Sequence, residues 1–238
     1  GYKSGGFDQR FVGPTPDGAP SSYRPESVDS LELGLKTSSA DGRLRVNVSV
    51  FDADYDDLQI IVRESFNPLT VNAGAARVRG GELELQWQAS TDWDIGFSAG
   101  HLDTKYRRLN QPAQDSGVRL DNKLANSPTW SIAAGTSYRL GLRNLGELTA
   151  RLDWAWQDTE YNDAVNSPQI RQSAYHLVNA SLAFAPWEGD WQLTVATRNL
   201  FDETYLVSGN SAFDTTAAYV EQVYGRPREF LVSIAYEF

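Results

Sequence analysis

The sequence predicts an all-β protein, a run of antiparallel strands from a transmembrane β-barrel. Three observations predict it. Apolar and polar residues alternate with period two along most of the chain. The connections between alternating stretches are short and long in strict turn, and aromatic residues gather at both ends of the apolar faces. Aromatics make up 12% of the chain and Trp alone numbers 7, yet the mean hydropathy is -0.44. Large apolar side chains are therefore abundant while the average stays polar, which is what strict alternation produces.

In chain order, the pattern places strands at about 1–7, 27–38, 43–62, 73–89, 93–107, 128–140, 147–160, 174–185, 191–203 and 223–238. The first is a stub. In the third, Leu44, Val46, Val48 and Val50 alternate with Arg43, Arg45, Asn47 and Ser49. In the fourth, Leu83, Leu85 and Trp87 alternate with Glu82, Glu84 and Gln86; the apolar phase slips at Gly80-Gly81, where a bulge is expected. In the fifth, Trp93, Ile95, Phe97 and Ala99 oppose Asp94, Gly96, Ser98 and Gly100. The seventh is the cleanest: Leu148, Ala150, Leu152, Trp154 and Trp156 share one face, and Thr149, Arg151, Asp153, Ala155 and Gln157 the other. A helix would spread these apolar residues around its circumference; a strand segregates them. The last strand sets Phe230, Val232, Ile234, Tyr236 and Phe238 against Leu231, Ser233, Ala235 and Glu237.

Residues 39–42, 90–92, 141–146 and 186–190 are short turns, whereas 8–26, 63–72, 108–127, 161–173 and 204–222 are long and polar. In a meander, alternate connections lie at opposite ends, so all short turns fall on one side. That is the loop asymmetry of an outer-membrane barrel; a soluble sandwich has no reason to sort loops by length. Trp87, Trp93, Tyr138, Phe184, Trp191 and Tyr236 form one aromatic girdle at the short-turn end, and Tyr106, Trp154, Trp156 and Phe230 lie nearer the other. Arg43, Arg45 and Arg151 fall on the opposite, lumenal phase, as they must when a cation on the lipid face costs roughly 2–4 kcal/mol at the midplane.

Composition excludes other classes. No Cys means no disulfide scaffold, thiolate metal site or thiol nucleophile. A formal charge of -10 opposes binding to nucleic acid. No run approaches the roughly 18 apolar residues of a spanning helix. The absence of Met is expected of a processed chain or a fragment rather than a whole translation product.

Five strings then become recognisable: "GYKSGGFD", "PESVDSLELGLKTS", "ARVRGGELELQWQ", "TRNLFDETYLVSG" and "YGRPREFLVSIAYEF". In this order, along the full length, they resemble the C-terminal half of a TonB-dependent outer-membrane receptor barrel. "NLFD..Y" followed about twenty residues later by "YGRPR" and a terminal aromatic strand is the most specific part. The resemblance implies a 22-stranded barrel enclosing an N-terminal plug, and uptake of a scarce ligand driven through TonB by the inner-membrane proton gradient. The usual cargo is a ferric siderophore; cobalamin, haem, other metals and oligosaccharides also occur. On this reading residues 1–238 are one partial barrel domain, the last ten strands. About twelve strands, the plug and its TonB box lie outside the sequence, so the chain is not expected to transport alone. The family usually has an apolar residue where Gly81 stands, which puts the packing there in question.

The resemblance also gives Tyr236 and Phe238, on the terminal strand, the look of the signal read by the barrel-assembly machinery. Arg63, Arg77 and Arg79 flank a long loop and are the ligand-binding candidates, since an anionic ferric chelate favours guanidinium groups. Their competing role is an interior network with Glu82, Glu84 or Asp153. Asp52, Asp54, Asp56 and Asp57 read as a solvated rim in preference to a cation site, because a calcium loop needs a fixed spacing and a Gly that this string lacks. Tyr161, Tyr175, Tyr205, Phe213 and Tyr219 lie in or beside long loops, where aromatics can cap a ligand. His101 and His176 read as barrel-wall residues. No catalytic constellation, phosphate loop, metal motif or cofactor site is expected. The expected partners are a ferric siderophore or similar ligand, TonB through the plug, outer-membrane lipid and the assembly machinery. The alternative is a self-contained ten-stranded outer-membrane barrel with protease-like or pore function.

Overall fold

The computed structural model describes residues 1–8, 21–64, 67–214, 216 and 218–236. One 10-stranded antiparallel sheet dominates, and each of its strands pairs with the next in the chain. Its strands are β1 (Tyr2–Lys3), β2 (Glu26–Ser38), β3 (Leu44–Asp56), β4 (Gly74–Gln88), β5 (Trp93–Leu109), β6 (Trp130–Leu142), β7 (Gly146–Gln157), β8 (Tyr175–Pro186), β9 (Trp191–Arg198) and β10 (Glu229–Tyr236). The predicted meander is therefore present, with the predicted two classes of connection.

The registers convert the alternation into two continuous surfaces. Leu35, Val48, Leu83, Ala99, Ile132 and Trp156 form one row across six strands. Ser38, Arg45, Gln86, Gly96, Gly135, Asp153 and Asn179 form a row on the other face. The first face leaves large apolar groups uncovered: Leu33 is 75% exposed and Ile234 72%. Such a surface suits hydrocarbon and not water. The second carries the polar pairs of a wet interior: Arg151 donates twice to the Asp153 carboxylate at 2.7 and 2.8 Å, and Asn47 donates to Glu84 at 3.1 Å. On the apolar face, the Trp93 indole N–H is satisfied by Thr136 Oγ1 at 2.7 Å.

The structure corrects several expectations. The phase slip at Gly80-Gly81 is not a bulge: pairing runs unbroken through Phe51–Gly80 and Val50–Gly81, and the register shifts instead between Ala75 and Ala76. Gly80 is glycine because a Cβ there would sit 2.5 Å from the Phe51 ring and 2.6 Å from the His101 carbonyl. The slip has a different cause. At the long-loop end of β3–β5 the apolar residues turn inward, where Ala53, Ala76 and Tyr106 are buried beneath the loops, and the outward positions become charged. Tyr106 is thus a core residue and not part of a girdle.

Four predicted strands are also too long: the first stops at Lys3 and the ninth at Arg198, so that 199–203 lie outside the sheet. Residues 59–62 leave β3 and pair as Gln59–Glu64 with Asn67–Asn72. Val223 and Tyr224 do not extend β10 but pair with the segment Leu206–Ser211. Further two-stranded pairs join Gly6–Phe7 to Ser22–Tyr23 and Glu160–Tyr161 to Arg171–Gln172. A short helix, α1 (Gln111–Asp115), and a 3-10 turn at Pro168–Ile170 complete the loops.

The face assignment predicts an asymmetry between adjacent residues. In the full-length barrel, Leu152→Arg is expected to destabilise by roughly 2–4 kcal/mol, because position 152 lies midway along the lipid face of β7. Asp153→Ala frees one lumenal guanidinium to water and should cost much less. Urea unfolding in lipid vesicles measures both; the opposite ranking would turn the strand inside out.

Candidate functional site

Three of the long loops fold into one packed layer. Val62, Leu69, Ala73, Ala113, Val118 and Ala164 bury themselves against Ala76 and Tyr106, drawing three successive loops onto the inward face of β4 and β5. This cluster holds most of the buried apolar residues of the described chain. Polar side chains fix the loop paths largely by bonding backbone. Asn166 Oδ1 accepts from the Lys123 N–H at 2.8 Å while its Nδ2 donates to the Lys123 carbonyl at 2.9 Å. Asn122 Nδ2 donates to the Ala164 carbonyl at 2.8 Å. Asp163 accepts from the Ser167 N–H and hydroxyl at 2.8 and 2.5 Å.

A second set of contacts ties the last long loop to the sheet. Asn199, buried and with φ of +49°, donates to the carbonyls of Glu203 (2.8 Å) and Arg226 (3.1 Å) and accepts from the Glu203 N–H (2.8 Å). Its own N–H donates to Asn179 Oδ1 on β8 at 2.9 Å. The Arg228 N–H donates to Asp202 at 2.8 Å. Tyr205 stacks on Tyr175 with ring centroids 4.8 Å apart, and Gly225 lies against the Tyr205 ring, where a Cβ would come within 2.0 Å. The residues of the NLFD and YGRPR strings thus form a latch that closes the loop's base.

The proposed site residues separate. Arg63 lies in the loop layer and donates to the Tyr219 hydroxyl at 3.0 Å, linking the hairpin at 59–72 to the loop at 199–228. Arg77 and Arg79 do not join it. They share the outward phase of Leu83 and Leu85, and both pair with Asp52, not with Glu82, Glu84 or Asp153. The rim carboxylates all face cations: Asp54 meets Arg107 at 3.1 Å, Asp56 meets Arg108 at 3.9 Å and Asp57 meets Arg24 at 2.6 Å. His101 packs edge-on against Trp130 on the outer wall, a pair absent from the expected girdles, and His176 lies against Phe201. Tyr161 joins the loop layer, its carbonyl accepting from the Asn126 N–H at 2.8 Å. Phe213 is exposed. Tyr236 is on the outward phase of β10, and Phe238 lies outside the described residues.

Inside the wall, β5 and β6 present Gly96, Ser98, Gly100, Ser131, Ala133 and Gly135 to the lumen. A concavity of about 440 Å³ lies against Gly96 and Gly135, with Arg43, Arg45 and Arg151 around it. The sheet is wet on one face, oily on the other and covered at one end by packed loops. Sequence comparison settles the lineage: residues 1–200 match the TonB dependent receptor-like β-barrel family. The chain belongs to that family.

Its family consists of transport receptors of the bacterial outer membrane. The siderophore receptor PiuA of Acinetobacter baumannii, itself a probable assignment, is 22% identical over 204 residues, covering 82% of this chain and 25% of its own. The ferripyoverdine receptor of Pseudomonas aeruginosa is 24% identical over 226 residues, covering 90% of this chain and 25% of its own. The ferric yersiniabactin uptake receptor FyuA of Yersinia pestis superposes with a TM-score of 0.76 at 23% identity, over 98% of this chain and 33% of that one. The chain therefore spans about a quarter of the length of the curated relatives it matches.

Two outcomes follow from the loop layer. Gly225→Ala should destabilise the full-length receptor by about 1–3 kcal/mol through overpacking against Tyr205, and Tyr205→Leu in the same chain should relieve part of it; thermal unfolding reads both. Burial pushes the Glu160 carboxyl above the usual glutamate range, partly opposed by a hydrogen bond with Gln157. The folded loop then holds this proton more tightly than the unfolded one. Its contribution is fully present below the unfolded value and falls as pH rises through the folded value. Amide exchange across 158–174, corrected for intrinsic rate, should show weaker protection above that window than below it, and Glu160→Gln should flatten the difference.

Proposed function

We propose that this chain forms the last ten strands, a single partial barrel domain, of a receptor that takes up a ferric siderophore across the outer membrane under TonB drive. The observation that carries the reading is the ordered loop layer over a polar lumen. A simple pore gains nothing from a roof held by dozens of specific contacts; a receptor that must capture a dilute, bulky chelate does. The named cargoes of PiuA, FyuA and the ferripyoverdine receptor, all iron chelates, support the same cargo class here.

On this reading Arg63 is the ligand-facing candidate of the three arginines. It sits in the loop layer, and its planar donors suit an anionic chelate. Arg77 and Arg79 face the membrane side and are set aside as ligand contacts. The plug that engages TonB belongs to the part of the receptor outside this sequence. Tyr236 on β10 and Phe238, outside the described residues, are proposed to serve recognition by the assembly machinery.

The test uses the full-length receptor in a Gram-negative host stripped of its other iron receptors. Uptake of radiolabelled iron from a panel of ferric siderophores should appear for at least one chelate and vanish when TonB is deleted. Arg63→Ala should raise the half-saturating concentration about tenfold, the loss of one charge-assisted contact, while Arg77→Ala leaves it unchanged. TonB-independent passage of small solutes, with no chelate transported, would establish the pore instead.

A further inference from the structure

Among the described residues, the loop layer holds two half-buried cations, Arg63 and Lys123, and neither meets a carboxylate. The outward face does the reverse: Arg77, Arg79, Lys105 and Arg107 each pair with an aspartate. Arg63 donates to the Tyr219 hydroxyl, and Lys123 Nζ donates to Thr129 Oγ1 at 2.8 Å.

Lys123 is held at both ends. Asn166, in the following long loop, accepts from the Lys123 N–H and donates to the Lys123 carbonyl, so the backbone cannot drift. The side chain then turns from the loop to the wall. Thr129 stands just before β6 and continues its ladder, since its carbonyl accepts from the Leu102 N–H at 2.9 Å. It lies two residues before Ser131, on the inward phase. The carboxylates of the neighbouring loop are engaged elsewhere. Asp163 accepts from the Ser167 N–H and hydroxyl, Asp158 from the Thr159 N–H, and Glu160 bonds Gln157. A fixed, half-buried ammonium left without a counter-charge attracts an anion from outside the chain.

On the membrane side of Thr129 the inward face of β5–β8 is hollow. A recess of about 200 Å³ lies among Ser98, Ser131, Ala133, Ala155, Gln157 and Tyr175. The registers set these on adjoining rungs: Ser98 opposite Ala133, Ala133 opposite Ala155, Ser131 opposite Gln157 and Gln157 opposite Tyr175. Small side chains on three strands leave the room, and hydroxyls, an amide and a phenol edge it. The volume is below the roughly 300–1,000 Å³ of a site that takes in a whole ligand, so it admits one arm of a large chelate. A floor of serine and alanine on a flat sheet suits a planar ring.

We propose that Lys123 and this recess form a subsite for an aryl-oxide arm of the ferric chelate, the ring on the serine and alanine floor and its oxygens toward the ammonium. The inference rests on the ferric-chelate reading and narrows it to chelates with anionic aryl arms. An aryl oxide brings the charge that the site lacks: a tris-catecholate complex of ferric iron is anionic, whereas three hydroxamates only neutralise the same ion.

The experiment measures equilibrium binding to the full-length receptor in detergent with two probes, a ferric tris-catecholate and a ferric tris-hydroxamate. The tris-catecholate should bind the wild type more tightly. Lys123→Gln should weaken that binding about tenfold, the loss of one charge-assisted contact, and leave the tris-hydroxamate unaffected. Lys123→Arg should restore most of the affinity. Added salt should narrow the gap between wild type and Lys123→Gln, because the difference is a charge. Ala133→Leu fills the recess without touching Lys123; it should also weaken the tris-catecholate, and it serves if Lys123→Gln fails to assemble. Unchanged tris-catecholate affinity in either variant would overturn the subsite. So would an equal loss for both probes, or a loss matched by lower thermal stability, which would make Lys123 a strut of the roof. If neither probe binds while another ferric chelate is taken up under TonB drive, the subsite fails and the receptor reading stands. If no chelate is bound or taken up, both fail.

Discussion

Hydrocarbon cannot hydrogen-bond, and the rest of the architecture depends on that. Every backbone N–H and C=O crossing the membrane must find its partner in the neighbouring strand. The registers from β2 to β10, continuous except for the shift at Ala75 and Ala76 near the loop end, meet that demand, and they leave side chains only two directions. Period-two alternation is then obligatory rather than favourable, since a slip of one residue would carry Arg151 or Glu84 into lipid. Where the membrane ends, so does the rule. Past Gly80 the strands continue without a break in pairing, but lipid no longer selects the outward face, and the loops now cover the inward one. The same backbone carries the inverse pattern.

That inversion also explains which features were legible in the sequence. The strands between the two interfaces were, because the solvent on each side imposes one rule over six or seven residues. β7 could be read residue by residue. Tyr106, Arg77 and Arg79 could not, since alternation reveals phase but not the level at which the environment changes. A strand that inverts its polarity without a bulge looks, from sequence, like a strand with one. The loop hairpins were equally hidden. The pairing of Gln59–Glu64 with Asn67–Asn72 is set by packing against Ala76 and Tyr106, which no local pattern reports. The latch lay within strings that could be recognised but not interpreted: Asn199 and Gly225 are far apart in sequence and meet only through Arg226 and Tyr205.

The latch bears on how far family likeness reaches. The residues that make the chain recognisable hold backbone to backbone. Asn199 serves two carbonyls and one N–H, Asp202 an N–H, and Gly225 is fixed by the absence of a side chain. None of these duties involves a transported molecule. A signature of this kind identifies the frame and carries no information about cargo, so the resemblance assigns the fold firmly and the ligand only as a class.

The loop layer extends the same division of labour. Asn122, Asn162, Asn166 and Gln222 each donate to a backbone carbonyl across a loop or between loops. A carbonyl is present whatever residue bears it. Loop paths fixed in this way tolerate replacement of the side chains around them, because the bond is made to the chain and not to its sequence. Arg63 is of the other kind, reaching a tyrosine hydroxyl that only one residue type provides. Within a layer held mostly by backbone acceptors, side-chain to side-chain contacts are the ones that substitution can rewrite without unfolding the roof. On the proposed function, selectivity for a ligand would reside at positions such as Arg63 and Tyr219, while the asparagines keep the surface on which it is displayed.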